Sequence, residues 1–215
     1  MDEGKPKHRD RYDITGNVEA EYVDEECTVL VNKLGIADLE ALQVREEEGL
    51  AQAYEALLNE VRVDTPMTCD LLLFIHRRIF GDLYEWAGRW RTVVISKPGI
   101  TWPPPKFLAQ NMQTFERVIL QKYTANKLMD EEAFCEGLAE VQGEFLTIHP
   151  FREGNARTIK LLSDLLSAQT GRPLLKYDTS EEGCEEYIAA ASAAFMKNYE
   201  PLVEIIRRAL AEAQP

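Results

Sequence analysis

A chain of 215 residues with 45% hydrophobic content is long enough to bury one generous core or two small ones. Its 37 acidic residues against 24 basic ones leave a net charge of −13, which argues against nonspecific binding to DNA, RNA or anionic membranes. The apolar runs are far too short to span a bilayer, residues 1–30 show no signal-peptide pattern, and four scattered cysteines without a C-x-x-C pair read as reduced thiols of a cytoplasmic protein.

Residues 1–30 read as an N-terminal extension: a charged, frayed opening, a turn at Thr15-Gly16-Asn17 and an acidic stretch from Glu19 to Glu26. From residue 31 to the C-terminus the chain reads as a single domain, nearly all helix. Asp38 to about Val61 is rich in Glu, Ala and Leu and predicts a helix with a broken apolar stripe. Thr65 as cap and Pro66 at the first position predict the start of a second helix, which Gly81 ends. His76 on that helix has no acidic neighbour in sequence and reads as a packed or surface residue rather than a catalytic one.

The pattern then changes. Arg91-Thr92-Val93-Val94-Ile95 is a β-branched run, Ser96-Lys97-Pro98-Gly99 a turn and Ile100-Thr101-Trp102 a returning strand, so a small hairpin is expected over about 91–102. Leu108, Met112, Phe115 and Ile119 mark the next helix. Phe134, Leu138, Val141, Phe145 and Ile148 mark another, which must stop near His149 because Pro150 disfavours helical geometry before it. Asn155 reads as the N-cap of a helix running through Ile159, Leu162 and Leu166 toward Gly171. Thr179 or Ser180 caps one more helix, and a last one follows Pro201. The expected fold class is all-α, a helical bundle with one small β-hairpin.

The loop His149-Pro150-Phe151-Arg152-Glu153-Gly154-Asn155-Ala156-Arg157 carries the chemistry. A helix N-terminus with unpaired amides attracts anions, phosphate above all. Arg157 in the first turn opposes the helix dipole and makes sense if a phosphate lies there to receive it. Glu153 could hold magnesium between phosphate oxygens, and His149 can take a proton near neutral pH. Any one of these residues has an ordinary role open to it: Asn155 as a cap, His149 as a helix end, Phe151 as a core plug. Together, between two helices, they are the parts for attack of a hydroxyl on a nucleotide phosphate.

The loop resembles the signature of the Fic family, His-x-Phe-x-(Asp/Glu)-Gly-Asn-Gly-Arg-x-x-Arg, with His149, Phe151, Glu153, Gly154, Asn155 and Arg157 in register. Ala156 replaces the second glycine and Lys160 the final arginine. The resemblance extends to Val31–Ile36, Ile75–Gly88 and Ile95–Lys97. It implies a protein adenylyltransferase that moves AMP from ATP to a Tyr, Ser or Thr hydroxyl of a target protein. His149 would be the general base, Glu153 the magnesium ligand, and Gly154, Asn155 and Ala156 the amide anion hole. Arg157 would neutralise the departing pyrophosphate, Lys160 would stand where the γ-phosphate is contacted, and Phe151 would anchor the loop in the core. Ser96 and Lys97 would meet the nucleotide from the hairpin, or flap, which would also hold the target in extended form; Lys97 reads equally as a solvated turn lysine. Alanine at 156 costs nothing if the position is already helical, and lysine at 160 keeps the charge but loses the bidentate fork.

Many members carry or bind an inhibitory helix of pattern (Ser/Thr)-x-x-x-Glu-(Gly/Asn). Thr15 to Glu19 has the spacing but is followed by Ala20, and Val44 to Gly49 lacks the hydroxyl, so either the inhibitor is a separate antitoxin-like protein or regulation works otherwise. Two alternatives stay open: transfer of a phosphoryl, UMP or phosphocholine group on the same scaffold, and a nucleotide-binding interaction module with a weakened site. No nucleic acid or membrane partner is expected.

Overall fold

A computed structural model describes residues 17–97 and 99–214. Among these residues seven α-helices, α1 Leu39–Glu60, α2 Cys69–Phe80, α3 Leu108–Phe115, α4 Glu131–Ile148, α5 Asn155–Gln169, α6 Glu181–Ala193 and α7 Glu200–Ala211, surround one core, with a single two-stranded sheet of β1 Ser96–Lys97 and β2 Ile100–Thr101. The all-α expectation with one hairpin is what the molecule shows. The opening residues and Thr15-Gly16, and with them the hydroxyl end of the Thr15–Glu19 spacing, lie outside the described residues, as does Pro98 of the hairpin turn.

Helix α4 is the central rod. Its stripe of Phe134, Leu138, Val141 and Phe145 is wholly buried, and it packs against α3, α5, α6 and α7. Asp130 caps it through Ala133 N–H, and His149 ends it in the left-handed region at φ 51°. Helix α1 keeps its expected bounds, with the Asp38 carboxylate on Ala41 N–H and Val61 as C-cap. Helix α2 starts three residues later than the Thr65–Pro66 signal suggests. The cap is Thr68, whose hydroxyl accepts from Leu71 N–H, while Glu116 takes the free N–H of Cys69. Thr65 closes a tight turn onto Arg62 N–H instead.

The hairpin is shorter than its β-branched run. The register is Ser96 with Thr101 and Lys97 with Ile100, and Arg91–Ile95 forms no strand. The reason lies at Arg91, which is 2% exposed. Its N–H donates to Pro150 C=O, and its guanidinium donates to the carbonyls of His149, Val93 and Pro103 at 2.7–2.9 Å. Those bonds turn the segment onto the α4–α5 loop instead of along a partner strand.

From Asn17 onward the N-terminal segment is packed. Val18–Ala20 forms a 3₁₀ turn, and Glu19, only 6% exposed, accepts from Thr92 N–H at 2.7 Å. Arg152 reaches across to Glu19 C=O and Tyr22 hydroxyl, while Tyr22 and Leu30 form an isolated antiparallel bridge.

Candidate active site

The loop between α4 and α5 is set by Gly154 and braced from three sides. Gly154 has φ 77°, and a Cβ there would overlap the Phe80 ring, so both backbone and space demand glycine. Gly154, not Asn155, is the N-cap of α5. The Asn155 side chain instead accepts from Phe151 N–H and donates to Phe151 C=O, both at 2.9 Å, clamping the loop on itself. Phe151 is fully buried, 4.9 Å from Trp90 and stacked at 3.8 Å on His76.

His76 is a residue whose part in the site the sequence did not disclose. Gly88 N–H donates to its Nδ1 at 2.9 Å, so Nε2 carries the proton and donates to Glu153 C=O at 3.1 Å. Burial lowers its pKa to about 3, which keeps this neutral form across all ordinary pH. It acts as a spacer holding the loop backbone against α2. The expectation of a packed rather than catalytic histidine agrees with this geometry.

His149 faces a cavity of about 1260 Å³, which Lys97, Trp102, Glu153, Ala156 and Phe195 also line. Its Nδ1 lies 3.3 Å from Leu146 C=O and its ring 4.2 Å from that of Trp102. The carbonyl fixes the proton on Nδ1, leaving Nε2 with a free lone pair. Burial pulls its pKa down to about 4; the Leu146 contact and the Glu153 charge oppose the shift, Arg91 and Lys97 reinforce it. At pH 7 this imidazole is a neutral base.

Across the loop, no acceptor among the described residues meets the N–H of Asn155, Ala156 or Arg157, while Thr158 N–H begins the helical ladder onto Gly154 C=O. Ala156 has ordinary helical backbone, so alanine there carries no strain. Glu153 is the single carboxylate lining the cavity. Its Oε1 accepts from Gly154 N–H at 2.8 Å and Arg157 at 3.4 Å, and Oε2 has no partner among the described residues.

Two of the expected phosphate contacts stand elsewhere. Arg157 donates to Glu46 Oε2 at 2.7 Å and lies over the Phe80 ring. Glu46 is 7% exposed and also accepts from the Tyr84 hydroxyl, so an α1 carboxylate fixes this guanidinium. Lys160 does not line the cavity and sits between the rings of Tyr177 and Tyr187. Ser96 and Lys97 do line it, both exposed on β1.

Residues 66–167 match the family profile described as the Fic/DOC family. The chain is 30% identical over 195 residues to the protein adenylyltransferase VbhT of Bartonella schoenbuchensis, an alignment covering 89% of this chain and 39% of that protein. It therefore spans well under half of that relative's length. In fold it is similar to the N-terminal FIC domain of the Bep8 effector of Bartonella sp. 1-1C, with TM-score 0.75, 20% identity and coverage of 90% of this chain and 94% of that one. A Fic domain from Bartonella quintana with bound ADP gives TM-score 0.71 at 20% identity, covering 87% and 92% of the two chains. The loop-bearing region of this chain, residues 66–167, is a Fic/DOC family domain.

Proposed function

We propose that the protein transfers AMP from ATP to a Tyr, Ser or Thr hydroxyl of a target protein. One observation carries the reading: a neutral histidine with its lone pair free and the unpaired amides of a helix's first turn flank the same short loop beside one cavity. His149 Nε2 accepts the proton of the attacking hydroxyl. The hydroxyl oxygen bonds to the α-phosphorus, and the bond from that phosphorus to the bridging oxygen of the β-phosphate breaks, releasing pyrophosphate. The N–H groups of Asn155 and Ala156, on the loop turned by Gly154, hold the phosphate oxygens, and fixed donors of this kind lower the barrier by meeting charge as it develops.

The site suits magnesium. Glu153 offers a free carboxylate oxygen and no group of three metal-ligating side chains occurs among the described residues, which matches an ion that takes one or two carboxylates and completes its shell with phosphate and water. Bound there, magnesium would offset the charge on the phosphate oxygens. Ser96 and Lys97 present the flap to nucleotide and target, and the edge of β1 or β2 can pair with an extended target segment.

A separate antitoxin-like chain is the proposed inhibitor. Within this chain Glu19 is engaged at the flap root, and Glu48 stands half-exposed on α1 beside Arg45. No helix among the described residues is long and apolar enough to cross a membrane, and all four cysteines are free, which suits a reducing cytoplasm.

The test uses ATP labelled at the α- or the γ-phosphate, magnesium and a cell lysate. Label from the α-position should appear on protein, and His149→Ala should lower its rate by about 10²–10⁴-fold. Label from the γ-position alone would replace AMP transfer with phosphoryl transfer.

A further inference from the structure

Lys160 stands one helical turn beyond Ala156 on the same face of α5, where a long cationic side chain could meet the far end of a polyphosphate held by the α5 amides. Its ammonium does not go there. It lies 3.9 Å from the Tyr187 ring centre and 4.3 Å from that of Tyr177, in a separate pocket of about 110 Å³. Tyr187 lines both spaces, so its ring is the partition between Lys160 and the cavity that His149 faces.

That partition is fastened. Tyr187 hydroxyl donates to Gln142 Oε1 at 2.7 Å, and Gln142 Nε2 donates to Tyr177 hydroxyl at 2.7 Å and Ser163 Oγ at 3.0 Å. Gln142 and Ser163 are wholly buried. Burial holds the lysine pKa below its usual value, while the aromatic faces on either side offset part of that cost to the cation. The neighbouring cation, Arg157, is no freer: Glu46 and Glu153 hold it. Arg152 is engaged by Glu19 C=O and Tyr22. Among the described residues, the cations left to line the cavity beyond the α5 amides are Lys97 on β1 and Lys106 just after β2.

We propose that this cavity recognises a nucleotide through its first two phosphates and gives no preference to a third. Nucleoside 5′-diphosphates and their diphosphate esters are then bound as well as triphosphates. The inference rests on the nucleotide-transfer reading and deepens it. A third phosphate adds negative charge to a protein of net charge −13 and meets no dedicated cation among the described residues, so it gains little affinity.

Calorimetric titration of the full chain with AMP, ADP and ATP in magnesium tests this. ADP and ATP should bind within about threefold of each other, and AMP at least about tenfold more weakly. Lys160→Met, which keeps the side chain's length, should leave the ADP-to-ATP ratio unchanged, with thermal unfolding run alongside. Tyr187→Ala should open the partition and shift the ratio toward ATP by about tenfold. A tenfold ATP preference in the unaltered protein overturns the inference alone, and loss of that preference in Lys160→Met would identify the lysine as its source. AMP binding as tightly as ADP overturns it too. Failure of all three nucleotides to bind overturns the nucleotide reading itself.

Discussion

The α4–α5 loop and the flap face one cavity and are built in opposite ways. Every turn of the loop is fixed: Asn155 clamps Phe151 twice, His76 holds Glu153 C=O, and Gly154 lies against the Phe80 ring. The flap is tight only at its root, where Arg91 gathers three carbonyls; beyond it, two strands of two residues each stand with Ser96, Lys97 and Thr101 exposed. Group transfer needs the reacting atoms held to a fraction of an ångström, whereas docking an extended segment through backbone bonds tolerates variety. On the proposed function, rigidity is placed where the bond is made, and latitude where the partner arrives.

The largest blow to that contrast should come from Gly154→Ala. Alanine would be strained at φ 77° and would press on Phe80, for a loss of about 2–4 kcal/mol in chemical denaturation together with loss of label transfer. Arg91→Met comes next. It leaves three carbonyls short of a charged donor, at about 2–3 kcal/mol, and should raise hydrogen exchange over residues 92–103 more than over 149–157.

The two histidines give the comparison a pH axis. Both are neutral in the fold and would take a proton on unfolding below the ordinary value of 6.5, so the unfolded chain binds more protons and stability falls as pH drops. The loss should run at about 1.4 kcal/mol per pH unit for each, from pH 6.5 toward about 4 for His149 and about 3 for His76, and His76→Phe should halve the slope. Over the same range the transfer rate should show no fall between pH 7 and 6 if His149 is the base, because its imidazole remains unprotonated down to about 4. The mildest change is Lys97→Ala at the flap. Stability should stay within about 0.5 kcal/mol, while nucleotide affinity weakens by less than about tenfold and the effect shrinks in salt.

Much of this was legible in residue order. The Asp38 cap, the α4 stripe and the stop at Pro150 are local signals, and local hydrogen bonding realised them. Where sequence reading slipped, a partner outside the expected local pattern had intervened. Thr65 lost the α2 cap to Thr68 because Glu116, some fifty residues on, serves that helix end. Asn155 looks like a cap, yet it is needed by Phe151 four residues back, and the left-handed Gly154 does the capping. Arg91 gave no sign of its burial, since the three carbonyls it joins come from separate segments. The resemblance implies Lys160 as a γ-phosphate contact; the tyrosines that enclose it in the structure are 17 and 27 residues further along. The pairing of Glu46 with Arg157 spans 111 positions and has no local signature.

Trp102 offers an optical handle on all of this. Its indole N–H donates to Leu146 C=O at 3.0 Å, the same carbonyl that orients His149, and its ring is 7% exposed beside the imidazole. Any movement that lifts the flap from the cavity breaks that bond and wets the ring, so emission shifts to the red. With Trp86 and Trp90 replaced by phenylalanine, the remaining fluorophore reports the arrival of nucleotide or target in real time, free of any attached dye.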